Sequence, residues 1–412
     1  MKRLVLCLVM LMVLVPLFHG TSWGVIVNQY ALNFNFNFNT PGARANAMGG
    51  AFQAVADDAT AAFANPAGLI VLKQPEFAAE YKYSNVTTVT YDYPDGFERE
   101  FTNSVSGMDF ASFSYPIKNA NITIFRHELV NSDSTWTDHQ GAGTAAMSEY
   151  FSKIKIITYG VAGAYKLSNT FSLGLTVGLN ELDYQMYINT PPTSPTYTTK
   201  WGGDGTAENF TASALWSPHR LFNLGVVYRY GPKFKYINTT ENADIYGNTS
   251  INHFEDTFKV PDVLGVGISS RPFEGLTLSL DCNYIWYSQF MKDVKYRDGE
   301  TAVTTPSFTA YASDSKMDDT YEIHVGAEYV FSFKNPLAVR AGYAYKPDHR
   351  AYWDGTRPVG SDAARRAMPH GEDEHVFSGG FGVVVGENVQ IDFAYTHSNF
   401  NEDYIASFVY RF

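Results

Sequence analysis

The densest collection of ligand-type side chains lies late in the sequence. His349, His370 and His375 stand close to Asp348, Glu372, Asp373 and Glu374. Imidazoles and carboxylates together suit a divalent cation. The same residues also make an ordinary solvated acidic loop, which is the reading adopted here, so no metal site is assigned. Asp57-Asp58 and Asp318-Asp319 read the same way. Nucleophilic chemistry finds less support. The sequence has no G-x-S-x-G and no H-E-x-x-H, and the glycines at 379–382 do not form a dinucleotide fingerprint before a helix. Cys7 and Cys282 are the only thiols, too few for a disulfide framework or a thiolate zinc site. No catalytic residue and no cofactor is assigned, and the chain is not expected to be an enzyme.

The chain is rich instead in aromatic surface. Its 6 Trp, 28 Tyr and 30 Phe make 16% of 412 residues, while charged residues are 17%. That charged share is below the roughly 25% of an average globular protein, and together with the aromatics it argues against disorder. The formal net charge of −12 leaves no basic face for phosphates, so nucleic acid is excluded as a partner.

The N-terminus sets the compartment. Met1-Lys2-Arg3 is a short basic start, Leu4 to Phe18 is almost wholly apolar, and small residues follow at Gly20, Ser22 and Gly24. This is the layout of a secretory signal peptide over residues 1–24, with cleavage after Ser22 or Gly24. The apolar run falls short of the roughly 20 residues that a transmembrane helix needs.

The remainder has two textures. Residues 25–73 are rich in small side chains, with Asn33 to Asn39 alternating Asn and Phe. Asp57-Asp58 stands before an Ala-rich stretch and Asn65-Pro66 after it. Carboxylates at the front and proline at the back predict a short helix between them. Fifty residues with few large apolar groups build little core of their own, so this stretch reads as a compact plug. Residues 74–412 alternate instead. Leu173, Leu175, Val177 and Leu179 are separated by Gly174, Thr176 and Gly178. Leu276, Leu278 and Leu280 are separated by Thr277 and Ser279. A period of two means strands with one apolar face.

The connections between strands decide the architecture. Short turns are expected near 116–119, 167–169, 217–220, 271–274, 334–336 and 386–388. Longer polar stretches lie near 92–104, 135–151, 189–206, 238–256, 291–318 and 347–374, with a brief one near 397–402. Short and long connections strictly alternate, as in an outer-membrane barrel with short periplasmic turns and longer outside loops. The expected fold is all-β: a transmembrane antiparallel β-barrel of about 14 strands, with a small N-terminal helical hatch in its lumen. Barrel closure satisfies the backbone groups that lipid cannot. Phe408, Tyr410 and the terminal Phe412 share one face of the last strand. This resembles the signal read by the outer-membrane assembly machinery of Gram-negative bacteria.

The plug carries a family resemblance. Pro41-Gly42-Ala43-Arg44-Ala45, Met48-Gly49-Gly50-Ala51-Phe52, Ala56-Asp57-Asp58-Ala59 and Asn65-Pro66-Ala67-Gly68-Leu69 resemble the hatch of the FadL/OmpP1/TodX outer-membrane transport proteins. Val260-Pro261-Asp262 and the strand from Leu276 to Trp286 are similar to a second stretch of that family. The resemblance implies passive uptake of long-chain fatty acids or other hydrophobic small molecules, with release sideways through a kink in the third strand. That strand, near 120–134, has no Gly or Pro, but Arg126-His127-Glu128 interrupts it with polar groups. Expected capture residues in the loops are Tyr197, Trp201, Tyr246 and Phe254. Expected hatch and gate residues are Phe34, Phe36, Phe38, Asn65, Pro66 and Ala67. Lumen charges such as Arg126, Arg229 and Glu328 could orient a headgroup or simply stabilise the structure. Besides the hydrophobic ligand, the expected partners are outer-membrane lipid, lipopolysaccharide and the assembly machinery. A secretion-system scaffold or shuttle and a general porin are the alternatives carried forward.

Overall fold

The computed structural model describes residues 25–26, 36–91, 98–139, 147–189, 198–219, 221–243, 249–292, 315–349, 352–354 and 370–412. The expected signal peptide lies outside them. Fourteen antiparallel strands close into one barrel. They are β1 (Glu76–Tyr91), β2 (Glu98–Ile117), β3 (Ala120–His139), β4 (Met147–Lys166), β5 (Phe171–Asn189) and β6 (Thr198–His219). β7 has two segments, Phe222–Tyr230 and Lys233–Ala243, and β8 has two, Thr249–Lys259 and Val263–Ser270. β9 (Leu276–Ile285), β10 (Thr320–Phe331), β11 (Leu337–Lys346), β12 (Glu374–Val385), β13 (Val389–His397) and β14 (Asn401–Arg411) complete the wall. β14 pairs back onto β1 from Arg411↔Glu76 to Asn401↔Val86, so the sheet closes on itself.

Strands β2 to β6 run for 19 to 22 residues, about twice the ~9–11 that cross a bilayer. Much of what the sequence suggests as long loops is therefore strand. The stretch 238–256, for example, is mostly a hairpin from Lys233 to Lys259. Its polar residues are compatible with strand because this part of the wall stands in water.

β5 shows where the membrane stops. Leu173, Leu175, Val177 and Leu179 point outward and are exposed, while Ser172, Thr176 and Asn180 face the lumen. Two residues further the roles exchange. Glu181, Asp183 and Gln185 now point outward, and Leu182, Tyr184 and Met186 are buried inside. β6 makes the same exchange between Glu208 and Phe210, and Leu179 pairs with both Tyr159 and Glu208. The lower barrel is thus greasy outside and polar inside. The collar above it is polar outside and greasy inside. Val177→Arg should destabilise the barrel by about 2–4 kcal/mol, and Gln185→Arg in the same strand by less than ~1 kcal/mol, both read from urea unfolding in lipid vesicles. Equal effects would misplace the boundary.

The hatch fills the polar half of the lumen. It contains α1 (Ala43–Ala47), α2 (Ala61–Ala64) and a 3-10 turn from Pro66 to Val71. α2 ends at Asn65 as the proline requires, and the Asn65 side chain accepts from Ala67 N at 3.1 Å to cap the next turn. Short Ala-rich elements let the plug approach the wall closely. A β-carbon at Gly342 would overlap the backbone of Met48 and Gly49, and one at Gly174 would overlap that of Pro66 and Ala67.

Candidate functional site: an apolar chamber beside a slot in the wall

Above the hatch, inward side chains from β3 to β9 form a continuous apolar cluster. It includes Leu129, Ile154, Ile156, Leu182, Tyr184, Met186, Phe234, Val260 and Ile285, with Met317 and with Tyr287 and Phe290 at the short helix α3 (Ser288–Lys292). The chain's own N-terminal segment enters this chamber. Phe36 stacks on Phe38 at 5.4 Å and meets Phe290 at 5.9 Å, and Phe38 lies 6.3 Å from Tyr287.

Asn37, between the two phenylalanines, reaches the wall where it is broken. β2 and β3 pair only from Ile117↔Ala120 up to Phe110↔His127. Above that rung β2 stays paired with β1 and β3 with β4, so a slot opens between them. Two bulges stand level at its foot. Asp109 is the extra residue of β2 against β1, and Leu129 that of β3 against β4. A bulge bends its strand and re-aims the next residues, which is how β3 turns without Gly or Pro. A bond from Thr135 N to Asn103 Oδ1, 3.1 Å, closes the slot at its top. Arg126 crosses its foot by donating to Met108 O and pairs with Glu128 at 3.1 Å, and Asn131 Nδ2 donates to Glu128 at 2.6 Å. From inside, Asn37 N donates to Leu129 O at 2.9 Å and Asn37 Nδ2 to Asp109 at 3.3 Å. The hatch segment therefore bolts both bulges.

The axial route is shut by a different set of groups. Arg44 forms two bonds to Glu328, each 2.8 Å, and Arg340 bonds both Glu328 and Asp392 at 2.7 Å. Arg44 also meets Asp57 at 2.5 Å. Burial pushes the Asp58 carboxyl above the usual range, against the opposing charge of Arg44 at 3.6 Å. Wall side chains satisfy the hatch backbone. Asp281 accepts from Phe52 N and Gln53 N at 2.7 and 2.8 Å, Glu76 accepts from Ala59 N at 2.7 Å, and Thr176 donates to Ala62 O at 3.0 Å.

The structure brings Phe36, Phe38 and Trp201 to one chamber. Trp201 lies in β6 rather than in a loop, and the backbone of Phe254 lies in β8. Asn65, Pro66 and Ala67 sit apart from the slot. Ala67 N donates to Ser213 Oγ and Ala67 O accepts from Ser172 Oγ, both 2.9 Å, which pins this turn to β5 and β6. Phe34, Tyr197 and Tyr246 lie outside the described residues. Among the suggested lumen charges, Glu328 serves the hatch, and Arg229 donates to Phe63 O and Ala64 O at 3.2 and 2.9 Å. Arg126 falls on the outward set with Ile122 and Ile124. The acidic loop holds no cluster of metal-ligating groups among the described residues.

The family model for outer membrane protein transport proteins (OMPP1/FadL/TodX) matches residues 25–407. The chain belongs to this family. As an OMPP1/FadL/TodX protein it is an outer-membrane transport protein of a Gram-negative bacterium. Solved relatives share the fold at low identity. A Pseudomonas aeruginosa FadL homologue is 19% identical with a TM-score of 0.69, over 91% of this chain and 98% of that one. The Pseudomonas putida toluene transporter TodX is 14% identical with a TM-score of 0.65, over 91% and 99%. The CymD monoaromatic hydrocarbon channel is 14% identical with a TM-score of 0.62, over 92% and 99%. No curated protein sequence matches the chain. A FadL/TodX barrel is a transport channel by family, and in this chain the candidate functional residues line the chamber and slot. Sequence reasoning missed most of them. The signal was present at Leu182, Tyr184 and Met186, where the apolar set changes parity.

Proposed function

We propose that this protein is a passive outer-membrane transporter for hydrophobic small molecules, which collect in the apolar chamber and leave sideways through the slot into the membrane. The observation that carries this reading is the position of Asn37. It bolts the slot, and its two neighbours in sequence occupy the chamber. A ligand that takes the place of Phe36 and Phe38 must shift Asn37 as well, so filling the chamber unbolts the wall. Tyr197 and Tyr246 serve as outer capture groups, with Trp201 in β6 at the chamber and Phe254 in β8. The exposed apolar residues of the lower wall contact lipid and lipopolysaccharide, and Phe408 and Tyr410 of β14 address the assembly machinery. The buried ionic lock on the hatch argues against a general porin, and no feature of the described residues favours a secretion scaffold over transport.

The direct test is uptake of labelled toluene and oleate by cells with and without the protein; equal uptake of both would remove the proposal. A second test follows from the bolt. With Asn131→Cys as reporter in a Cys282→Ser background, added hydrophobic ligand should raise thiol labelling severalfold. In Phe36→Ala/Phe38→Ala, basal labelling should already be high and independent of ligand. Ligand-dependent labelling that survives the double substitution would break the proposed link.

A further inference from the structure

The chamber has a second face. Opposite the apolar cluster, strands β10 to β14 with β1 and the foot of β2 present ionisable groups. Glu322, Glu374 and Asp109 are 4%, 6% and 4% exposed, and Asp403 stands beside them. Glu322 and Glu374 fall on the buried, inward sets of β10 and β12, and Tyr287 packs on Phe38 within the chamber. Asp109 holds Asn37 in the same space.

Among the described residues, both ammonium groups on this side of the chamber stand beside an acid. Lys82 stands 3.9 Å from Asp403, and Lys346 stands 3.9 Å from Glu374. The imidazoles of His324 and His127 lie 3.3 and 3.8 Å from Glu322 and Asp109. On the apolar side, Lys259 is bonded to Asp262 at 2.7 Å, and Arg229 faces Asp281. The acids of the polar wall outnumber its two ammonium groups. An ionised carboxylate entering here would lose its water beside like charges and would have to displace a resident acid to find a cation. A hydrocarbon meets no such barrier and gains the contacts of the aromatic half.

We infer that the cargo is a neutral hydrocarbon rather than an ionised fatty acid. This rests on the transport reading above. Its test compares two probes of equal chain length, labelled oleate and the matching octadecene, offered to intact Gram-negative cells with and without the full-length protein. Protein-dependent uptake of octadecene should exceed that of oleate by at least about tenfold, the scale set by one unfavourable charge contact in a partly dry site. In Glu374→Gln/Asp403→Asn, which removes the acid paired with Lys346 and the acid paired with Lys82, the oleate-to-octadecene ratio should rise by about the same factor. Oleate uptake equal to or above that of octadecene in the parent protein overturns the inference and leaves transport standing. If uptake of neither probe depends on the protein, transport itself falls, and the inference with it.

Discussion

Cysteines at positions 107 and 131, joined across the slot, should stop uptake, and reduction should restore it. The two positions face each other. A β-carbon at Gly107 would lie 3.8 Å from Asn131 Nδ2 and 3.7 Å from Glu128 Oε1, with Gly107 on β2 and the other two on β3. Thiols at the two positions can be joined directly or, where their β-carbons stand farther apart than a disulfide spans, by a short bis-thiol linker. Cys282, exposed on the outward wall, is first replaced by Ser so that no third thiol competes. Oxidation then sutures the wall at its open seam and leaves chamber, hatch and loops untouched. The expected loss in uptake rate of Gly107→Cys/Asn131→Cys is at least about tenfold, because the hatch shuts the axial route. Full uptake through the sutured barrel would reject sideways release.

Glu328→Ala should turn the closed barrel into a leaky one. Glu328 is 3% exposed and accepts from both Arg44 and Arg340. Removing its carboxylate leaves two guanidinium groups short of a partner in a confined space. Breaking a buried ion pair from one side costs about 3–5 kcal/mol. The contribution falls at the junction of hatch and wall, since Arg44 lies in α1 and Glu328 in β10. The hatch should loosen before the strands do, because the barrel's own ladders are untouched. Planar-bilayer recordings should show steady ion conductance in Glu328→Ala and little in the parent, with Glu328→Gln between them. A variant as tight as the parent would show that the backbone bonds from Asp281, Glu76 and Thr176 hold the hatch alone.

The barrel was legible in the sequence because its main signals are local. Leu173 to Leu179 alternate within seven residues, and the turns at 116–119 and 386–388 announce themselves by composition. The length of the strands was less legible. Thr198 to Thr206 reads as loop because its outward residues are polar, yet it pairs with β5 along its whole length. A strand in water carries the same residues as a loop in water, and only its partner distinguishes them. The chamber was hidden for a related reason. Period two fixes which residues share a face and says nothing about which face is inside, so Leu182, Tyr184 and Met186 look like more lipid-facing wall until the barrel closes. The slot and the ionic lock are farther from sequence still. Asn37 meets Asp109 across 72 residues and Arg44 meets Glu328 across 284, and no spacing rule links them. What the sequence did offer was the polar break at Arg126-His127-Glu128, which ends beside the Leu129 bulge.

The collar has a thermodynamic meaning. It holds a small oil phase in the water outside the membrane, with a wall that keeps the two from mixing. A hydrophobe bound for the bilayer no longer has to cross a hydrated polysaccharide layer in one improbable step. On the proposed route it partitions twice instead, from water into the collar and from the collar into lipid, and each step lowers its free energy. Nothing in such a device fixes a direction or calls for an energy source. The sign of the flux belongs to the solute's chemical potential on the two sides. A membrane loaded with hydrocarbon and washed with clean medium should therefore empty through the same chamber that filled it.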